Sequence, residues 1–234
     1  MKTLVEEKFS DFYENWMTQL EDLLQHLLLV SKGQSQESGC AAAINKLTAH
    51  HKEYYKFKWA AAHDDVLAFF SNPVWLSPLE MAHLWLTGWK PSAAFRLLRA
   101  AAGGLTEEQA RKIEALRMKM RAEEGRVERE MERLQVAVAD RKTVELARLE
   151  KRVRENGGAA AVAAAQVEGL VEAAVGGFLA GLEKVMKMAD CVRLKTLKGL
   201  LEILSPMQSV EFLASESMFQ IRVWKWGQME TTKK

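Results

Sequence analysis

Apolar residues recur every three or four positions along most of this chain, and that spacing predicts amphipathic helices. No segment shows the strict apolar–polar alternation that is typical of a half-buried strand. The predicted long helices cover residues 6–30, 39–70, 106–155, 167–204 and 205–226, with a helical hairpin at 75–99. The pattern therefore predicts an all-α fold, a single-domain bundle of about six to eight helices over residues 6–227, followed by a polar tail at 228–234.

The hairpin from Trp75 to Arg99 carries three of the seven tryptophans and two of the four prolines. Ser77, Pro78 and Glu80 predict a helix start, because serine caps the first amides, proline suits the first turn and the glutamate completes a capping box. The residues that follow are apolar almost all round, and Gly88 predicts the end of this helix before a second short one. We expect this hairpin to lie in the core.

One continuous helix over residues 106–155 would be about 75 Å long. A compact chain of this size measures only about 45 Å across. The apolar stripe weakens near Asp140, where we expect the helix to break. The glycine- and alanine-rich residues 157–165 follow as a connector, and the sequence leaves open whether it is a helix start or a loop.

Charge is high but balanced, with 33 basic and 31 acidic residues, so no overall field favours nucleic acid or a membrane surface. Cys40 and Cys191 are far apart in the sequence, which suits a reducing compartment. The first residues lack the pattern of a signal peptide, and no apolar run approaches membrane-spanning length. These features predict a protein of the nucleus, the cytoplasm or both, with no membrane partner.

The sequence contains none of the common phosphate-binding, zinc-protease or nucleophile-elbow motifs. Cys40, His50, His51 and His63 are near one another in sequence, but their spacing is not that of regular zinc sites. We therefore expect neither a bound metal nor an enzymatic activity.

The segment from 141 to 154 contains six basic residues and only two acidic ones. Such a helix can contact phosphates or an acidic partner. No aromatic residue is interleaved with the basic ones, so an exposed helix of mixed charge is the stronger alternative. The candidate nucleic-acid-binding residues are Arg141, Lys142, Arg148, Lys151, Arg152 and Arg154.

Four blocks in order along the chain carry a family resemblance. They are the opening F-x-x-F-Y-E-N-W-M at 9–17, the hairpin L-W-L-T-G-W-K-P-S-A-A-F-R-L-L at 84–98, A-D-x-x-R-L-x-T-L at 189–197, and L-S-P-M-Q at 204–208 with a final W-G at 226–227. Together they resemble the plant Delay-of-Germination (DOG) domain, which is also the C-terminal region of the TGACG-binding basic-leucine-zipper factors. The sequence is similar to the stand-alone Delay-of-Germination-like proteins of seed dormancy and maturation.

The resemblance implies a protein partner for the N-terminal helix. The dormancy protein of the family is associated with type 2C protein phosphatases of abscisic-acid signalling through its aromatic first helix. The matching residues here, which we take as candidate partner-binding residues, are Phe12, Tyr13, Glu14, Trp16 and Met17. The order of aromatic residues differs from that protein by one inserted position, so phosphatase binding is a hypothesis.

The resemblance also raises the question of a haem. The dormancy protein is credited with haem binding through two histidines shortly before the final Trp-Gly. The corresponding positions here hold Gln220 and Trp224, neither of which can supply an imidazole to iron. We therefore expect no cofactor.

Two functions follow from these observations. The first is a non-enzymatic regulator of seed dormancy or maturation, linked to abscisic acid and acting through protein–protein contacts. The alternative is a nuclear factor of transcription regulation with DNA-associated activity through 141–154, although no basic region or zipper precedes the family blocks. A carrier of a small ligand or lipid inside the bundle is the least supported reading. The sequence does not give the identity of the partner, the oligomeric state, for which a homodimer is one possibility, or the direction of regulation.

Overall fold

The computed structural model describes residues 2–33, 37–101, 103–155 and 161–231. Over these residues the chain forms nine helices and no strand. The all-α prediction is therefore confirmed. The helices are α1 (Leu4–Lys32), α2 (Glu37–Asp64), α3 (Leu67–Phe70), α4 (Pro78–Ala82), α5 (Ser92–Ala101), α6 (Glu107–Val138), α7 (Arg141–Glu155), α8 (Ala161–Ile203) and α9 (Pro206–Thr231).

The chain divides into two compact units. The first combines residues 1–124 with 189–234, and the second consists of residues 125–188. The first unit therefore contains α1 to α5, the start of α6, the end of α8 and all of α9, while the second contains the rest of α6 and α8 together with α7. The single domain over 6–227 stays a prediction. The predicted tail at 228–234 is helical as far as Thr231, since α9 continues to that residue.

Helix α1 begins with a capping box in which Thr3 and Glu6 bond each other's backbone amides. Its buried residues follow the helical repeat: Phe9, Tyr13, Trp16, Met17, Leu20, Leu24, Leu27 and Val30. This stripe packs against α2 and α9, which makes it the centre of the first unit's core. The aromatic rings of Phe9, Phe69 and Trp75 meet edge to face or tilted, at centroid distances of 4.5–5.0 Å.

The hairpin differs from its prediction after its first turn. The capping box forms, with the Glu80 amide donating to Ser77 Oγ and the Ser77 amide donating to Glu80 Oε2. The helix nevertheless ends at Ala82, and the predicted helix up to Gly88 is wrong. A tight turn follows instead, in which the Trp85 amide donates to the Gly88 carbonyl at 2.6 Å.

The two central residues of this turn have left-handed backbones, with φ of 43° at Leu86 and 62° at Thr87. Such angles cost non-glycine residues about 1–2 kcal/mol each. The side chains that hold this turn come from Lys58 and Arg193, far from it in the sequence. We call residues 85–88 the Trp85 turn.

The predicted break near Asp140 is confirmed, since α6 ends at Val138 and α7 begins at Arg141. Before the break the Ala139 and Asp140 amides donate to carbonyls three residues back, which tightens the last turn of α6. Within the second unit α6 and α8 approach closely: a Cβ on Gly181 would lie 2.5 Å from Leu134 Cδ1. Of the predicted connector, residues 157–160 lie outside the described residues, and residues 161–165 are helical.

The expectation that no apolar run reaches membrane-spanning length is corrected by α8. Its segment Ala165–Ile203 contains an 18-residue window with a mean hydropathy of 1.2, of which only 11% is buried. Leu170 and Val175 are among its exposed apolar side chains. One such helix, judged by length and composition alone, is weak evidence for a membrane span.

Candidate functional site

A buried ionic cluster lies where α2, α8 and the Trp85 turn meet. At its centre is Asp190, whose carboxylate is fully buried. Its Oδ1 accepts from Lys58 Nζ at 2.8 Å and from Arg193 Nη1 at 2.5 Å, and its Oδ2 accepts from Trp59 Nε1 at 2.9 Å. Lys58 and Arg193 are each about 1% exposed, so one carboxylate serves two buried cations.

The same two cations hold the Trp85 turn. Arg193 donates from Nε to the Trp89 carbonyl at 2.7 Å and from Nη2 to the Trp85 carbonyl, and Lys58 Nζ donates to the Thr87 carbonyl at 3.0 Å. These carbonyls are therefore satisfied by side chains rather than by the amides of a continuing helix, which explains why α4 stops early. Gly88 allows the guanidinium to approach this closely, because a Cβ on it would lie 2.8 Å from Arg193 Cζ.

The ionic cluster perturbs its own lysine. Burial lowers the pKa of Lys58 to about 8, although the neighbouring Asp190 carboxylate acts to raise it. At neutral pH Lys58 thus remains mostly protonated.

The apolar pattern of the sequence does not identify Lys58 as a buried residue. Its position is nevertheless an indication, because Lys58 lies three and four positions from the buried Tyr55 and Ala62, which is the spacing of a core residue.

A second buried contact joins α1, α4 and α9. Tyr13 donates its hydroxyl to Glu80 Oε1 at 2.9 Å, and the other carboxylate oxygen of Glu80 is used in the α4 cap. Burial, followed by the charge of Glu80, raises the pKa of Tyr13 well above its usual value. Gly227 lies against this cap, because a Cβ there would be 1.9 Å from Ser77 Oγ.

The structure separates the five predicted partner-binding residues into two groups. Tyr13, Trp16 and Met17 are 6%, 3% and 0% exposed and belong to the core. Phe12 is half-buried and Glu14 is exposed. The reason is helical geometry: positions 13, 16 and 17 continue the buried stripe, whereas position 14 lies on the opposite side. A partner at the surface of α1 therefore meets Glu14 and part of Phe12.

Phe12 is part of a small aromatic surface. Its ring stacks on Phe57 with centroids 4.0 Å apart and planes 9° apart, and Phe57 is 37% exposed. The structure therefore adds Phe57 of α2 to the residues predicted from the sequence. We call Phe12 and Phe57 the α1 surface site. Glu14 lies on a different side of α1, because residues two positions apart on a helix do not face each other.

Trp16 has a structural role instead. Its indole Nε1 donates to the His50 carbonyl at 3.2 Å, and its ring lies parallel to the His50 ring at 4.6 Å. His50 Nε2 in turn contacts the Trp16 carbonyl at 3.1 Å. Burial, with a smaller effect of His51, lowers the pKa of His50 to about 4, so this ring is neutral at physiological pH.

The basic segment forms α7 in the second unit. The side chains of Arg148, Lys151 and Arg152 are exposed there. The side chains of Arg141, Lys142 and Arg154 lie outside the described part of the structure, although their backbone belongs to α7. Neighbouring apolar side chains are exposed as well, with Val144 at 40% and Leu149 at 43%.

The first unit also contains a cavity of about 150 Å³ beside the ionic cluster, and this cavity is partly open to solvent. It is bounded by residues of α1, α2, α3, α4, α5, α8, α9 and the Trp85 turn, and aromatic side chains form part of its wall. Nothing in the sequence pattern indicated a cavity, since its walls come from segments far apart in the chain.

Comparison with known proteins assigns this all-α architecture to a class. The family model described as seed dormancy control matches residues 16–100. Protein DOG1-like 4 of Arabidopsis thaliana is 53% identical over 231 residues, which cover 97% of this chain and 95% of that protein. The chain therefore belongs to the DOG1 family of seed dormancy control, as the sequence resemblance predicted.

More distant relatives fall in two groups. Protein RESPONSE TO ABA AND SALT 1 of Arabidopsis thaliana is 27% identical over 93% of this chain and 94% of that protein. Transcription factor TGA5 of the same plant is 26% identical over 90% of this chain but only 61% of that protein. The similarity to the transcription factors thus covers part of their length.

Proposed function

We propose that this protein is a non-enzymatic regulator of seed dormancy and maturation that acts through protein–protein contacts in abscisic-acid-linked signalling. The observation that carries the proposal is the 53% identity to Protein DOG1-like 4 over nearly the whole of both chains. A relative named for its response to abscisic acid and salt supports the hormone link. The family's seed-dormancy role supports a regulatory rather than a catalytic function.

The α1 surface site is the proposed contact, and type 2C protein phosphatases are the proposed partner class. Phe12 and Phe57 offer a rigid stacked pair that can bury apolar area without losing much side-chain entropy. Glu14, exposed on another side of the same helix, supplies a charge that can select a basic residue of a partner that also reaches that side.

A pull-down with phosphatases of the abscisic-acid pathway tests this proposal. Phe12→Ala and Glu14→Lys should each reduce capture about tenfold or more, as expected for interface residues that carry binding energy. Glu172→Lys is the matched control, since it reverses an exposed acid on α8 in the other unit. Trp16→Ala is unsuitable, because it removes a core hydrogen bond.

Two results would contradict the proposal: no capture by the wild-type protein, or capture by Phe12→Ala and Glu14→Lys at the wild-type level. Far-UV circular dichroism of each variant separates a lost contact from a lost fold.

We infer that the protein works without haem. The carboxamide of Gln220 and the indole of Trp224 occupy the two positions where the resemblance would require histidines, and neither side chain provides an axial nitrogen ligand for iron. Purified protein incubated with haemin should show no stoichiometric Soret band beyond that of free haemin. A saturable 1:1 band would contradict the inference.

A second candidate is a nuclear role in transcription with DNA-associated activity. The relatives named as TGA transcription factors and the exposed Arg148, Lys151 and Arg152 favour it. Gel shifts across salt concentrations test it, because phosphate contacts weaken steeply with salt. Replacing these three residues by glutamine should lower the slope of log affinity against log salt concentration by about 2–3. If DNA binding changes neither with salt nor with the substitutions, this candidate function is excluded.

Nuclear and cytoplasmic residence, and self-association as a homodimer, belong to the same proposal. A fluorescent fusion in seed tissue tests the first, and light scattering of the purified chain tests the second. Exclusion from the nucleus would disfavour the transcriptional candidate but leave the phosphatase contact intact.

A further inference from the structure

The cavity of the first unit has the size of a small aromatic molecule. Its volume of about 150 Å³ matches that of apolar protein cavities known to accept benzene. Aromatic side chains form much of the wall: Tyr13, Trp16, Tyr54, Trp75 and Trp89. Such walls favour a flat ring, which can stack or meet them edge to face.

The cavity differs from a purely apolar one in its polar wall. His51 Nε2, Thr87 Oγ1, Glu216 Oε2 and Gln220 Oε1 are buried and have no hydrogen-bond partner. His51 and Glu216 are only 7% and 5% exposed, and their atoms Nε2 and Oε2 are 3.7 Å apart, which is within ion-pair distance but too far for a hydrogen bond. A buried polar atom without a hydrogen bond costs about 1–3 kcal/mol, so this pair together with Thr87 and Gln220 indicates a site for something that bonds to them. The four atoms themselves have almost no accessible surface, so a ligand reaches them after a small shift of these side chains.

The chemistry of these atoms defines the ligand. The cavity's cations already donate elsewhere: Lys58 to Asp190 and the Thr87 carbonyl, Arg193 to Asp190 and carbonyls of the Trp85 turn. The atoms left without partners include a carboxylate oxygen and an amide oxygen, which only accept. A ligand that fits must therefore present N–H or O–H donors, and a carboxylate ligand would face the buried charge of Glu216.

We propose that this cavity binds a small monocyclic aromatic compound with a hydroxyl or amino donor, with the ring among the aromatic side chains and the donor on Glu216 and Gln220. His51 and Thr87 complete the polar wall, because each can either donate or accept. This proposal is independent of the phosphatase contact, since the α1 surface site uses none of these polar atoms.

Isothermal titration calorimetry of the full chain with phenol, toluene and benzoate tests the proposal. The three probes share a ring and differ in their polar group. Phenol should bind with 1:1 stoichiometry, about tenfold more tightly than toluene, because only phenol donates to the buried acceptors. Benzoate should bind more weakly than phenol by at least the same factor, because its carboxylate meets Glu216.

Two substitutions locate the site. Glu216→Gln should weaken phenol binding about tenfold and leave toluene binding unchanged, because it removes a charged acceptor without changing volume. Glu211→Gln on the same helix is the matched control, since Glu211 does not line the cavity. If Glu216→Gln loses its helical circular-dichroism signal, Gln220→Leu is used in its place. It too should weaken phenol binding about tenfold and leave toluene binding unchanged.

The outcomes divide clearly. Tighter binding of phenol together with its loss in the Glu216 or Gln220 variant supports the proposal. The proposal is overturned if toluene binds as tightly as phenol, if benzoate binds more tightly than phenol, or if phenol binding is unchanged in the folded variants. It is also overturned if no probe binds at about 10 mM, the weakest affinity that such a fragment should show.

Discussion

Substitution of Asp190 by asparagine should be among the most damaging single changes in the first unit. The carboxylate is fully buried and is the counter-ion of Lys58 and Arg193. Asparagine keeps the shape and can still accept the Trp59 indole, but it removes the negative charge. The variant therefore isolates the electrostatic contribution from packing.

The magnitude follows from burial. Breaking a buried ion pair by removing one partner costs about 3–5 kcal/mol, because the remaining charge is left in a poorly solvated place. Here two cations lose their partner, so the upper part of this range applies. Lys58 can escape by releasing its proton, since burial already lowers its pKa to about 8 and Asp190 is the group that opposes this shift. Arg193 has no such escape.

Urea unfolding followed by tryptophan fluorescence measures the effect, because Trp59 belongs to the cluster itself. Asp11→Asn, an exposed aspartate on α1, is the control for a lost negative charge and should change the unfolding free energy by less than about 0.5 kcal/mol. If Asp190→Asn lowers the free energy of unfolding by less than about 1 kcal/mol, with the urea dependence of that free energy unchanged, the cluster is not an essential ionic centre.

Three further predictions concern close contacts and pH. Gly88→Ala should cost about 1–3 kcal/mol of unfolding free energy, because the new methyl would lie 2.8 Å from Arg193 Cζ. Gly227→Ala should cost more in the same denaturation assay, because its Cβ would meet the hydroxyl that caps α4 at 1.9 Å; Gly176→Ala, which meets nothing within 4 Å, should be neutral or stabilising. The free energy of unfolding should fall by about 2 kcal/mol between pH 7 and pH 5, because His50 takes up a proton near its usual pKa in the unfolded state, whereas its pKa in the folded state is about 4. A pH titration of the urea midpoint checks this, and a His50→Gln variant with the same pH slope as the wild type would contradict it.

Local patterns predicted most of the helices. The repeat of Phe9, Leu20 and Leu24 fixes the buried side of α1, and the Ser77–Glu80 capping box places the start of α4 to the residue. The break near Asp140 followed from the weakening of the apolar stripe there, after the length of the segment had shown that one straight helix would not fit a compact chain. In each case the determining interactions lie within a few residues of one another, which is why sequence reasoning reaches them.

The Trp85 turn could not be predicted in the same way. Its conformation depends on Arg193, which is 108 positions from Trp85 in the sequence. The cavity depends likewise on Glu216 and Gln220 meeting α1 and α2. The partner-binding prediction rests on the family resemblance, which matches residues by position and not by exposure. The structure places Tyr13, Trp16 and Met17 in the buried stripe of α1, as their spacing indicates.

The division of the chain into units has a consequence for its synthesis on the ribosome. Helix α1 is made first, but α9, which covers much of its aromatic side, starts at Pro206 and is made last. Residues 125–188 must leave the ribosome before the first unit can close. At typical elongation rates the aromatic side of α1 therefore waits about 10–40 seconds for its final partner. During that interval it is a binding surface for chaperones, and a stop codon before α9 would leave it exposed for good.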